Sequence, residues 1–152
     1  MKAVLIKSFG GPDILKLVDT PPPTLSENQV LVEIHSTSIN PFDTYVLGTG
    51  AGAKPPLVLG GDFAGVINET SNGVSGFSLG DKVWGQALVH NGGSGSFAEI
   101  AVSNVKNTGA MPGNINFDEA ASLPLVGASA IQALEDGIKL KSGQKILLQR
   151  TQ

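Results

Sequence analysis

Ser38-Ile39-Asn40-Pro41-Phe42-Asp43-Thr44-Tyr45 and, a little further on, Leu59-Gly60-Gly61-Asp62-Phe63-Ala64-Gly65-Val66 decide how this chain reads. In the first stretch a strand-like run ends at Asn40, a good helix N-cap. Pro41 takes the first helical position, where its fixed φ helps and its missing N–H costs nothing. Asp43 then falls in the first turn, where negative charge meets the positive end of the helix dipole. The helix is short and runs towards Leu47. In the second stretch a glycine turn carries Asp62 into a new strand, Phe63 to Glu69. Asp62 is placed to accept backbone N–H bonds in that turn.

The same alternation of strand and turn extends outward on both sides. Gln29 to Ser38 is the longest strand, with Val30, Val32 and Ile34 on one face. Before it come Ala3 to Lys7, a Gly10-Gly11-Pro12-Asp13 turn, Ile14 to Val18, and a proline-rich loop from Thr20 to Asn28. After the second stretch, Gly80-Asp81-Lys82-Val83-Trp84 turns into a further strand, and Ser96 to Val102 forms one more. The 20 glycines and 9 prolines fit this turn-rich, mainly β pattern from residue 2 to about 108. Past Met111-Pro112 the pattern changes. Asn116-Phe117-Asp118-Glu119 is a capping box opening a helix, and Pro124 interrupts it. A second helix runs from about Val126 to Asp136, with Gly137 just past its end. Ser142-Gly143 turns into Lys145-Ile146-Leu147-Leu148, an apolar run of the kind buried on both faces in parallel sheets. As a lone terminal strand it has no sheet to join.

Bulk properties narrow the function classes. A chain of 152 residues supports one well-cored domain. A net charge of −3 offers no basic surface for nucleic acid, and the apolar runs are too short for a membrane span. The amino terminus has no signal-peptide shape. With no cysteine, disulfides and thiolate zinc sites are excluded. His35 and His90 lie far apart in sequence and match no ligand spacing. His35 reads as an ordinary strand residue and His90 as an exposed loop residue. Asn91-Gly92-Gly93-Ser94-Gly95-Ser96 is flexible by composition. It is not a phosphate loop, because no helix start follows it. The compartment indicated is the cytoplasm.

The two opening stretches, in this order, resemble the medium-chain dehydrogenase/reductase superfamily, and more narrowly its zinc-free quinone oxidoreductase branch. Gly80-Asp81-Lys82-Val83, Gly95-Ser96-Phe97-Ala98-Glu99, Ala120-Ala121 with Leu123-Pro124, and Gly127-Ala128-Ser129-Ala130 extend the resemblance over nearly the whole chain. It implies a mainly β fold with short helices, a GroES-like partly open β-barrel that stops at the start of an absent Rossmann domain. The domains implied are a GroES-like catalytic domain over residues 1–124 and, over 125–152, a linking helix and first strand of a nucleotide-binding domain. In relatives that strand leads to a glycine-rich pyrophosphate loop. Here Gln149-Arg150-Thr151-Gln152 follows, and the expectation is a truncated chain, a split gene product or a degenerate copy.

The resemblance also assigns roles. Asn40, Gly61 and Leu125 stand where the superfamily's zinc enzymes hold their metal, so no metal site is expected. Asn40 matches a residue lining the cleft near the nicotinamide and the acceptor carbonyl. As an N-cap it uses its side-chain oxygen, which would leave the NH2 free to donate to a developing oxyanion. Tyr45 is either an aromatic covering the barrel or a phenol reaching the cofactor or a carbonyl. Ser129 matches a hydroxyl at the nicotinamide end of relatives, and equally reads as a helix serine bonding its own backbone. Asp43 and Asp62 read as scaffolding. The implied function is the N-terminal catalytic part of an NADPH-dependent quinone or enone oxidoreductase. Asn40 and Tyr45 are its catalytic residues, Asn40, Tyr45 and Ser129 its cofactor contacts, and solvent its proton source. NADPH is the cofactor, held weakly by this chain alone, and the chain alone is inactive. A small-molecule quinone or enone is the substrate, self-association is expected, and nucleic acid and membrane are not partners. The alternatives are a stand-alone GroES-like binding or assembly module and an inactive remnant.

Overall fold

The computed structural model describes residues 1–90 and 94–149. The Asn91-Gly92-Gly93 part of the flexible-loop reading and the last three residues, Arg150 to Gln152, lie outside the described residues. Two antiparallel sheets form the frame. The smaller has strands β1 (Lys2–Ile6), β2 (Lys16–Asp19) and β4 (Leu57–Val58) in the order β2-β1-β4. The larger has β3 (Gln29–Thr37), β5 (Asp62–Thr70), β6 (Lys82–Gln86), β7 (Ile100–Asn104) and β8 (Thr108–Ala110) in the order β7-β3-β5-β6-β8. Helix α1 (Pro41–Thr49) connects β3 to β4, and α2 (Phe117–Ala121) and α3 (Pro124–Ile131) follow β8. This is the mainly β, GroES-like partly open barrel that the sequence implied.

Alternation produces the core. Val30 and Val32 of β3 point inward with Phe63 and Ile67 of β5 and Val83 of β6, all essentially inaccessible to solvent. A second cluster joins Ile6 of β1 to Val46 and Leu47 of α1 and to Leu57 and Leu59, which seats α1 on the smaller sheet. Helix α2 places Ala120 and Ala121 against Ala64, and Phe117 stacks on His35 of β3 with ring centroids 4.3 Å apart. Gly65 lets β3 and β5 pair, since a Cβ there would stand 2.1 Å from the Glu33 carbonyl oxygen. Gly60, at φ +96°, makes the turn that delivers Gly61 and Asp62 into β5.

The structure departs from the sequence reading in four places. Pro12 to Ile14 close a short 3-10 turn, so β2 starts at Lys16 and not at Ile14. Residues 96–99 do not belong to β7, which starts at Ile100. They run between the sheets instead, with Ser96 and Phe97 donating to the carbonyls of Gly60 and Leu59 and Glu99 donating to Lys2. Val4 returns a bond to the Phe97 carbonyl at 2.8 Å, so this segment laces the smaller sheet to the larger. Lys145–Leu148 forms no strand, because no partner edge lies beside it, and Leu147 and Leu148 are each 87% exposed. Helix α3 starts at Pro124, earlier than expected, and continues after Ile131 as a wider π-type turn over Gln132–Gly137.

Val126, Ile131 and Ile146 are also exposed, while Leu134 is half-buried. Contiguous apolar surface beyond about several hundred Å² rarely stays open to water. The protein is therefore expected to associate into dimers or larger species, read by light scattering over a concentration series. Replacing Val126 and Ile131 with serine should shift it towards monomer.

Candidate active site

The β3–α1 junction, the Gly60-Gly61 turn, the end of β6 and the start of α3 meet at one pocket of about 100 Å³. Asn40, Asp43, Gly61, Gln86, His90 and Leu125 line it together with the apolar side chains of Phe42, Val46 and Val89. Asn40, Gly61 and Leu125, more than eighty residues apart at the extremes, are thus brought to one place.

Asp62 organises the floor. It is wholly buried, and its two carboxylate oxygens accept from every side. Asn40 Nδ2 donates at 3.0 Å, Ser38 Oγ at 3.3 Å and Gln86 Nε2 at 3.3 Å. The Leu125 N–H donates to both oxygens, at 3.1 and 3.2 Å, which pins the first turn of α3 to β5. Asp62 therefore does more than bond its own turn, as its sequence position suggested. Asp43 bridges the other two segments. Its carboxylate accepts from the Asn40 N–H at 2.7 Å and from the Gly61 N–H at 3.2 Å. Burial pushes the Asp43 carboxyl above its ordinary value. The two backbone N–H groups draw it down, and the neighbouring Asp62 charge adds to the rise.

Asn40 is the N-cap of α1, with extended backbone, as expected. The Asp43 N–H donates to the Asn40 carbonyl oxygen at 2.9 Å, and the Asp43 carboxylate accepts from the Asn40 N–H in return, the reciprocal bond of a capping box. The NH2 group is not free, which corrects the sequence reading. One hydrogen goes to Asp62 and the other to Ser38 Oγ at 3.3 Å. The physical reason is the buried carboxylate beside it, a stronger acceptor than any neutral group in reach. The Asn40 NH2 is therefore committed to protein acceptors.

The other candidates sit further out. Tyr45 is 56% exposed on the outer face of α1 and does not line the pocket. Its ring lies 6.3 Å from that of Phe42, which does. Ser129 Oγ donates to the Leu125 carbonyl at 2.8 Å and is exposed on α3, again outside the pocket. Sequence reasoning missed Phe42, Gln86 and His90. Phe42 lies within the quoted first stretch and could have been found there. His90 gave no local signal. It reaches the pocket because the chain after β6 is held by Ala87 N–H donating to the Gly61 carbonyl and Leu88 N–H donating to that of Val102. Its ring stacks on Phe42 at 5.8 Å. Among the described residues no three His, Asp or Glu side chains converge as a metal site would require.

Known proteins share this fold. The family model of the alcohol dehydrogenase GroES-like domain matches residues 26–113. Quinone oxidoreductase of Rattus norvegicus is 34% identical over 151 residues, covering 97% of this chain and 45% of that protein. Among solved structures, the quinone oxidoreductase from Coxiella burnetii superposes with a TM-score of 0.82 at 34% identity, over 90% of this chain and 44% of that one. Escherichia coli quinone oxidoreductase complexed with NADPH gives a TM-score of 0.80 at 26% identity, over 88% and 40%. The chain spans a little under half the length of the curated relatives it matches.

Two outcomes follow from the carboxylates. Asp62→Ala strands the Leu125 N–H and the Asn40 and Gln86 amides without their acceptor, and should cost about 3 kcal/mol or more in urea unfolding. Asp62→Asn, which keeps one acceptor oxygen, should cost less. For Asp43 the folded protein holds its proton more tightly than the unfolded chain does. Its contribution to stability is fully present below the ordinary value of 3.8 and is lost as pH rises through the raised value. Compared with Asp43→Asn, the wild-type protein should therefore lose stability over that window, in urea midpoints taken at successive pH values. A difference that does not change with pH is the contrary result.

Proposed function

The chain belongs to the alcohol dehydrogenase GroES-like domain family, in the quinone oxidoreductase-like branch of the medium-chain dehydrogenase/reductase superfamily, and from that premise we propose that it forms the acceptor-binding part of an NADPH-dependent, zinc-free quinone or enone oxidoreductase. The observation that carries the reading is the pocket in which Asn40, Gly61 and Leu125 converge without a thiolate, and with both carboxylates already engaged by N–H donors. These residues do not fit zinc, which takes Cys, His or carboxylate ligands aimed at one point. An acceptor that is already electron-poor needs no metal to polarise it.

The fit to a nicotinamide is good at the ring end and stops there. Phe42, Val46 and Val89 supply apolar walls, and the Asn40 side-chain oxygen would be the acceptor for a carboxamide NH2. None of the lining residues is Lys or Arg, and nothing among them would hold pyrophosphate. A bound reduced nicotinamide supplies a hydride. Asn40 and the apolar walls hold ring and acceptor in register and keep water out, which is where positioning gains rate. Tyr45, on the open side of α1, orients whatever extends from the pocket. Ser129, its hydrogen committed to Leu125, keeps lone pairs for a contact at the nicotinamide end. In this reading residues 1–124 are the catalytic domain and 125–152 the link to a nucleotide-binding domain.

A micromolar cofactor site needs about −8 kcal/mol, and half of that interaction corresponds to a dissociation constant on the order of millimolar. The 152-residue chain is accordingly expected to bind NADPH no better than millimolar by calorimetry and to show almost no reductase activity. Supplying a relative's nucleotide-binding domain, in cis or in trans, should restore hydride transfer to a quinone. In that enzyme Asn40→Ala and Tyr45→Phe should each lower turnover while the circular dichroism spectrum stays unchanged. Tight NADPH binding by the chain alone, or full activity of both variants, would sink the proposal. Elemental analysis is expected to return less than stoichiometric zinc.

A further inference from the structure

Resting on the reductase reading above, we propose that His90 is the proton donor of this pocket, in place of direct protonation by solvent. Hydride transfer to a quinone or enone leaves a negative charge on the acceptor oxygen, which must be protonated. The polar hydrogens of the pocket are accounted for one by one. The Asn40 NH2 is engaged by Asp62 and Ser38. The Gly61 and Leu125 N–H groups are engaged by Asp43 and Asp62. Gln86 gives one hydrogen to Asp62 and has no proton to release. Each Asp43 carboxylate oxygen accepts a backbone N–H, which ties that group to the pocket base as an acceptor.

Among the described lining residues, the side chain not tied into the Asp43 and Asp62 bonds that carries a transferable proton is His90. It lies at the accessible edge of the pocket, and its ring is held against Phe42 at 5.8 Å with 28° between the planes. Phe42 thus offers the exposed imidazole an apolar face at the rim of the pocket. In the step assigned here, the acceptor takes a hydride from a dihydronicotinamide, which is thereby oxidised. The protonated imidazole of His90 then gives its N–H proton to the acceptor oxygen. The O–H bond forms as the N–H bond breaks, and the neutral ring regains its proton from water.

The test uses NMR of the 152-residue chain, which has only two histidines. His35, stacked on Phe117 away from the pocket, is the internal control. The probe is 4-nitrophenol, whose phenolate carries its negative oxygen as a reduced acceptor does. The Gly61 and Ala87 amides and the His90 ring protons are expected to move along one saturating curve while the His35 ring protons stay in place. His90→Gln, checked for an intact amide spectrum, should weaken the probe about tenfold, the worth of one charge-assisted hydrogen bond. His35→Gln should not. If the pocket amides move but the His90 ring does not, or His90→Gln binds as tightly as wild type, the proton-donor assignment is wrong and the reductase reading stands. If neither 4-nitrophenol nor NADPH moves Gly61 and Ala87, the reductase reading fails and takes this assignment with it.

Discussion

One buried carboxylate holds the site together. Asp62 has no cationic partner among its hydrogen-bond contacts, and four other segments answer its charge with N–H and O–H donors. The loop after β3, the cap of α1, the end of β6 and the first turn of α3 all close on it. A charge removed from water is tolerated only when it is fully solvated by the protein. The pocket is the geometry left over once that solvation is complete. Asn40 illustrates the consequence: its amide is oriented by the need of Asp62, and the face it shows to a ligand follows from that.

The frame was legible in the sequence because its causes are local. Alternating Val30, Val32 and Ile34 announce a half-buried strand. Asn40-Pro41 with Asp43, and Asn116 with Glu119, announce helix starts, and both form capping boxes, the second with bonds of 2.9 Å in each direction. The family resemblance then gave the barrel as a whole. What failed locally was what depends on partners far along the chain. Lys145–Leu148 has the composition of a strand and no neighbour to pair with. Residues 96–99 read as the start of β7, but the carbonyls of Leu59 and Gly60 and the edge of β1 claim them instead.

The site was legible as a place more than as a set of contacts. Asn40, Gly61 and Leu125 could be matched to one locus from the resemblance, and they do meet. The direction of the Asn40 amide could not be read, because it depends on a carboxylate twenty-two positions later being wholly buried. His90 could not be read either. It is exposed, as the sequence reading had it, and what was not legible is that the backbone bonds of Ala87 and Leu88 bring it beside Phe42 at the pocket edge. Ser129 went the other way: its simpler reading, a hydroxyl bonding the preceding helical turn, is the geometry it has.

The absence of lysine and arginine from the pocket wall, with two carboxylates at its base, also sets a polarity for approach. An anionic end of a molecule meets repulsion that His90 alone among the lining residues offsets, and only at the pocket's edge, while a neutral aromatic end meets Phe42, Val46 and Val89. The pocket thereby acts as a one-way keyhole: an elongated molecule with an uncharged ring at one end and anionic groups at the other enters ring-first, with its charged end left in water. Orientation is thus selected by what the wall rejects, before any specific contact is made.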